Sequence, residues 1–224
     1  MILVTYNRSH YLRFAIEAIL NQTYNDFDLI ILNNGSTDDT EEVIKRYKDN
    51  KIRYIKHDEN KLLGLFSTIK DMCNTKYLLI THDDDIMEPT MIEREMQILE
   101  SDEEIVAVSC AVNHIDEENH IIMKNFLLKT LPHVTEDLLF NKYDYFHYYC
   151  QYNVLIFAVQ TMIVRKKVFD DVDHDLAQRV GGMYDLYFIL LINEFGKLYV
   201  IKEPLFNLRI HRAQLSRNRI PIYE

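Results

Sequence analysis

A parallel α/β sheet is the fold class this sequence predicts, and three patterns predict it. Apolar, β-prone runs alternate four times with helical patterns in the first hundred residues. The polar stretches that end those runs hold the residues suited to chemistry. At 224 residues and 48% hydrophobic, the chain is long enough to bury a full core.

Ile2-Leu3-Val4-Thr5-Tyr6 is the first strand, and Ser9 stands as a cap before a helix with apolar residues at 12, 15, 16, 19 and 20. Residues 27–32 form the second strand. It ends in Asn33-Asn34-Gly35-Ser36-Thr37-Asp38-Asp39-Thr40, a turn that feeds a helix with Val43, Ile44 and Tyr47 on one side. The third strand, 52–56, is followed by Gly64 and a helical pattern at Leu65, Ile69 and Met72. The fourth, 77–80, runs into His82-Asp83-Asp84-Asp85, and Pro89 then opens a helix. Ligands of open parallel sheets sit beyond the carboxyl ends of the strands, where Thr5 to Arg8, Asn33 to Ser36 and His82 to Asp85 all fall.

Three adjacent carboxylates repel one another unless a cation or hydrogen-bond donors offset them. Mg²⁺ or Mn²⁺ held by one or two carboxylates plus substrate phosphates would do so. A solvated acidic turn is the competing assignment. In an extended chain Asp83 and Asp85 share one face and Asp84 the other, so only a bend lets all three converge.

In the second half, Ile105 to Val112 reads as a strand with Ile121-Ile122-Met123 as hairpin partner across Asp116 to Asn119. Tyr145, Tyr148, Tyr149 and Tyr152 recur at helical spacing beside Phe146, as core or as a homodimer contact, though aromatic faces also stack on sugars. Val154 to Val164 is expected to be an apolar strand, with Gln160 and Thr161 turned to an acceptor site. A helix from Tyr184 to Phe195 follows a flexible Gly181-Gly182 turn, and residues 205–211 form a strand that puts Arg209 and His211 on one face. Asp185 at that helix start reads locally as a cap or a charge favoured by the helix dipole.

Val4-Thr5-Tyr6-Asn7-Arg8, Ile19-Leu20-Asn21-Gln22-Thr23-Tyr24, Asn34-Gly35-Ser36-Thr37-Asp38-Asp39-Thr40, then Asp83-Asp84-Asp85 and Pro89 follow in a distinctive order. Tyr184-Asp185, Phe195-Gly196, Glu203-Pro204-Leu205 and Arg209-Ile210-His211 extend it to the C-terminal part. In this the chain resembles the inverting nucleotide-sugar glycosyltransferases of the GT-A type, family 2, which include bacterial polysaccharide synthases. The resemblance implies a GT-A fold, a mostly parallel sheet flanked by helices, in one domain. Residues 1–112 would bind the donor, and 113–224 the acceptor, with the base and the tail.

It also implies roles. Asp84 would hold Mn²⁺ or Mg²⁺ with Asp85 and His211; Asp185 would be the base; Thr5, Tyr6, Arg8, Asn34 and Ser36 would line the nucleoside pocket. Asp83 or His82 would meet the ribose, and Arg209 the diphosphate. The donor would be a nucleoside-diphosphate sugar, UDP-linked, and the acceptor a saccharide or lipid-linked saccharide. Four acids of the family pattern are substituted: Asn33-Asn34 stands for Asp-Asp, His82 for Asp and Tyr184 for Glu. Those losses keep a second function open, an inactive nucleotide-sugar-binding partner subunit. A sugar-phosphate nucleotidyltransferase would want a Gly-rich loop after the first strand, and Asn7-Arg8-Ser9-His10 has no Gly.

Composition sets the outer limits. A net charge of −10 excludes a nucleic-acid binder, whose affinity comes largely from Lys and Arg on phosphates. Cys73, Cys110 and Cys150 lack metal-like spacing and suit a reducing cytoplasm. The sequence shows neither a signal peptide nor an apolar run of membrane-spanning length, and Arg212, Arg217 and Arg219 would serve a peripheral contact with an anionic membrane face.

Overall fold

The computed structural model describes residues 1–61, 65–156, 158–174 and 183–212; Gly64, Gly181, Gly182, Arg217 and Arg219 lie outside the described residues. Strands β1 (Ile2–Thr5), β2 (Leu29–Asn34), β3 (Ile52–His57) and β4 (Tyr77–His82) pair in parallel in the order β3-β2-β1-β4. Parallel neighbours need crossovers, which α1 (Ser9–Leu20), α2 (Thr40–Ile44) and α3 (Leu65–Lys70) help form. A sheet covered on both faces wants continuous apolar strands, and all of Leu29–Asn34 is buried. Two hydrophobic clusters result. Ile2, Ile30, Leu32 and Ile80 join one, while Leu3, Leu29, Ile31 and Leu79 pack with Leu12, Ile16 and Ile19 of α1 in the other. Truncating a core residue such as Leu3 to Ala would cost about 2–5 kcal/mol.

Register then sets where the strand ends meet. Val4 lies opposite His82, Thr5 opposite Asn33, and Asn34 opposite His57. The polar ends of all four strands are thereby brought to one edge.

The rest of the chain continues the same sheet. β5 (Ile86–Met87) and α4 (Met91–Ser101) lead to β6 (Ile105–Ile115), and β7 (Ile121–Met123) returns antiparallel to β6 as the expected hairpin. After α5 (Phe126–Thr130), β8 (Leu138–Phe140) and α6 (Asp144–Tyr152) come β9 (Ile163–Arg165), α7 (Lys166–Asp171), α8 (Tyr184–Asn193) and β10 (Lys197–Arg209). β9 sits antiparallel between β4 and β6, and β10 between β6 and β5, which joins both halves in one sheet. Pro204, which lacks an N–H to donate, lies where the β10–β6 register shifts.

Two expectations need correction. Within 154–164 the described residues hold no long strand: Val159–Thr161 is a 3₁₀ turn, and extended pairing starts at Ile163. Thr161 explains this, because its hydroxyl donates back to the Ala158 carbonyl at 2.8 Å and pairs with Ser109 Oγ at 2.7 Å. It is wholly buried there, facing Ser109. Helix α8 stops at Asn193, short of Phe195. Buried Asn193 accepts the Tyr145 N–H and donates to the Asn141 and Gly196 carbonyls, which satisfies the chain where the helix ends. In α6, Tyr145 is buried and Tyr148, Tyr149 and Tyr152 pack against the core, while Phe146 faces outward. Among the described residues, no helix is long and apolar enough to cross a membrane.

Candidate active site

The turn between β4 and β5 supplies the bend that the Asp triplet requires. Asp83, Asp84 and Asp85 are all buried, Asp83 and Asp84 sharing Arg8 while Asp85 faces β10. Asp83 points to the first loop: it accepts the Tyr6 N–H at 3.1 Å on Oδ2 and Arg8 Nη1 at 3.1 Å on Oδ1. Asp84 Oδ2 takes Arg8 Nη1 at 2.8 Å and lies 2.9 Å from His211 Nε2. Asp85 Oδ1 accepts the backbone N–H of Arg209 at 2.9 Å.

The electrostatics follow from this crowding. Burial, then the charge of Asp84, push Asp83 up to about 6, with Arg8 and Thr5 pulling back. Burial and Asp84 also hold Asp85 well above the usual carboxylate range, against the Arg209 N–H. For Asp84, burial opposes ionisation, but the His211 hydrogen bond with the Arg8 and His82 charges outweighs it and lowers its pKa. One charge is thus favoured at the centre of the cluster, and further charge calls for a cation.

His82, Asp84 and Asp85 each offer a ligand atom, all within 4.8 Å of one another, with His82 exposed and the two acids buried. Two carboxylates and an imidazole suit a divalent cation. His211, expected as a direct ligand, is bonded to Asp84 and packs 5.3 Å from the Tyr11 ring.

Arg209 is fully buried. Its Nε donates to the Asp84 carbonyl at 2.7 Å, Nη1 to the carbonyls of Asp116 and Glu117 at 2.6 and 3.2 Å, and Nη2 to Asn119 Oδ1 at 2.6 Å.

Beyond β1 the chain turns through Asn7 at a φ of +52° and enters α1. Asn7 ties this loop to the next one, its N–H donating to Ser36 Oγ at 3.0 Å and its Oδ1 accepting the Thr37 N–H at 2.8 Å. Thr5 is buried, whereas Tyr6 is 41% exposed beside the acid turn. At the end of β2, Asn33 accepts the Ser36 N–H and donates to the Tyr54 hydroxyl. Asn34 is buried and donates to Asn60 Oδ1 at 2.9 Å, while its Oδ1 accepts the Lys61 N–H at 3.1 Å and lies 3.2 Å from His57 Nδ1. His57, Asn60 and Lys61 had no motif to single them out, because the loop after β3 reaches Asn34 through tertiary packing.

Asp185 opens α8, solvent-accessible. The surrounding protein removes enough water to raise its carboxyl above the usual range, with the His82 charge pulling it back. The preceding Tyr184 hydroxyl lies 3.3 Å from buried His174 and its ring stacks on Phe66, which anchors the helix start.

A family model described as Glycosyl transferase family 2 matches residues 1–173. An uncharacterized glycosyltransferase of Rickettsia typhi is 29% identical over 229 residues, covering 100% of this chain and 68% of that protein. Glycosyltransferase GlyG of Streptococcus pneumoniae is 24% identical over 228 residues, covering 97% of this chain and 72% of that one. Among solved structures, S. aureus TarS 1-349 in complex with UDP-GlcNAc matches with a TM-score of 0.69 at 12% identity, over 96% of this chain and 59% of that one, a likeness of fold.

Proposed function

Because the chain belongs to glycosyl transferase family 2 and has the GT-A fold, we propose that it is a metal-dependent inverting glycosyltransferase moving a sugar from a UDP-sugar to a saccharide or lipid-linked saccharide. The observation that carries this is the acid turn, where His82, Asp84 and Asp85 converge at the carboxyl edge of the sheet. S. aureus TarS, similar in fold, is solved with UDP-GlcNAc, which supports the choice of UDP.

Asp84 and Asp85, with His82, would hold Mn²⁺. When bound, the ion would offset the charge that builds on the leaving diphosphate. His211 orients Asp84 through its 2.9 Å contact, as partners of metal ligands commonly do. Tyr6 stacks on the base, and Asn34 with Asn60 presents amide groups to its edge. Arg8, between Asp83 and Asp84 and partly exposed, is the guanidinium placed to meet the diphosphate. Asp185 takes the proton of the acceptor hydroxyl, its raised pKa bringing it closer to that of a useful base. Peripheral membrane contact through the basic C-terminal residues accompanies a lipid-linked acceptor.

Isothermal titration of UDP, GDP, CDP and dTDP, each with Mn²⁺ and with chelator, tests this on the protein and on Asp84→Ala. One diphosphate, UDP, should bind far more tightly with Mn²⁺ than with chelator, and the variant should lose that gain. The second function, an inactive donor-binding subunit, is favoured by one observation: Tyr184, standing where the family has a Glu, turns its hydroxyl to buried His174 and leaves Asp185 without an acidic neighbour. Metal-dependent hydrolysis of a UDP-sugar would rule that out; failure of every diphosphate to bind would sink both.

A further inference from the structure

We propose that Arg209 is a positioning residue that fixes the Asp84-Asp85 pair to the turn between β6 and β7, making one rigid unit of the acid motif and that turn. This rests on the proposal above that Asp84 and Asp85 hold the metal. The sequence places Arg209 at the diphosphate, but its side chain is wholly buried and its guanidinium already serves the Asp84, Asp116 and Glu117 carbonyls and Asn119 Oδ1. Those bonds are split between two places. The backbone N–H and Nε hold Asp85 and Asp84, and the two terminal nitrogens reach residues 116–119. Tyr11 of α1 covers the guanidinium, its ring centroid 4.6 Å away, and is itself buried.

The turn does not need Arg209 to close. Its Asp116 N–H already donates to the His120 carbonyl at 3.0 Å, and Asp116 Oδ1 accepts the N–H groups of Glu118 and His120. Nor does β10 need the side chain to pair, since Arg209 stays in register with Ile115. What the guanidinium adds is a connection between two elements that are each formed without it. A planar fork of five N–H donors can make that connection; a lysine ammonium, with three donors on a flexible stem, cannot reach both.

The test is titration of UDP with Mn²⁺ and with chelator on the wild type, Arg209→Lys, Asn119→Gly and Asn119→Asp. Asn119 has a φ of +72°, so glycine keeps the backbone while removing one acceptor of the fork, and the variant should fold. Asn119→Gly should weaken Mn²⁺-dependent UDP binding several-fold, Asn119→Asp should restore it by giving the fork an acceptor again, and Arg209→Lys should cost about tenfold or more. Binding in chelator should not change in any of them. Equal loss with and without Mn²⁺ in Arg209→Lys would mean a diphosphate contact and overturn the proposal. So would an unchanged Asn119→Gly. If the wild type itself shows no Mn²⁺-dependent UDP binding, the metal assignment fails and this falls with it; if the wild type does and the variants match it, this alone fails.

Discussion

Asp185 and Asp84 are both carboxylates, yet their surroundings push them in opposite directions. Burial raises Asp185, whereas His211 and Arg8 hold Asp84 ionised. Separation of this kind is what distinguishes a base from a ligand. Asp185→Asn should lower the rate of donor hydrolysis roughly 10²–10⁴-fold while leaving the affinity for UDP with Mn²⁺ within about twofold. The acid limb of kcat/KM should lie above the ordinary carboxylate range, because the base must lose its proton to act and its pKa is raised. A variant that loses nucleotide affinity along with rate would make Asp185 a binding residue instead. The acids stood out in the sequence because three in a row at a strand end repel one another unless something offsets them, with a solvated turn as the competing assignment. What could not be read was the use made of each: Asp83 secures Tyr6 and Arg8 of the first loop, and Arg209 bonds the acid turn, through contacts between residues 75 or more positions apart.

At the scale of the element, loops set by backbone shape carry the donor side of the site. Gly35 has a φ of +82°, and a Cβ there would lie 2.5 Å from the Glu59 carbonyl carbon and 2.6 Å from the Asn60 nitrogen. Gly35→Ala should therefore cost more than the roughly 1 kcal/mol of a left-handed residue, since the loop holding Asn60 must also retreat. Chemical denaturation would show the lost stability, and UDP titration should show weakened binding because Asn60 moves away from Asn34; unchanged values for both would mean the contact is not tight. In α4, Glu95 is wholly buried and burial holds its carboxyl well above the usual range. An unfolded Glu ionises above about pH 4.3, so over the interval from there to the raised folded pKa the native state keeps a proton that the unfolded state has lost. Stability then falls as pH rises, by up to about 1.4 kcal/mol per pH unit. Glu95→Gln should flatten that slope between pH 5 and 8 in urea unfolding; parallel slopes would show that Glu95 ionises in the fold. The sequence placed a helix after Pro89, but burial of an acid on its inner side could not be read from it. Likewise an apolar run such as 154–164 reads as a strand until Ser109, far away in sequence, accounts for Thr161.

The whole molecule is a single sheet in which late strands complete early ones. β9 fills the gap between β4 and β6, pairing Ile163 with Leu79 and with Val108, and β10 joins β6 to β5. The alternation of strand and helix made the first four strands legible, because each parallel crossover repeats one local pattern. Pairing of β9 and β10 has no local signature, since both are inserted from the far end of the chain. The proposed donor and acceptor halves, divided near residue 112, share this one sheet. A fragment of residues 1–112 would leave β4 with an open edge and β6 without either inner neighbour. It would also lose Arg209 and His211, which hold Asp84 and Asp85. Exposed strand edges of this kind pair with other chains. The fragment should aggregate or melt without a cooperative transition in circular dichroism and bind no UDP with Mn²⁺, while the full chain should unfold in one step. Cooperative melting of the fragment with metal-dependent UDP binding would show instead that the donor half is a domain in its own right, and that residues 197–211 only cover a site already formed.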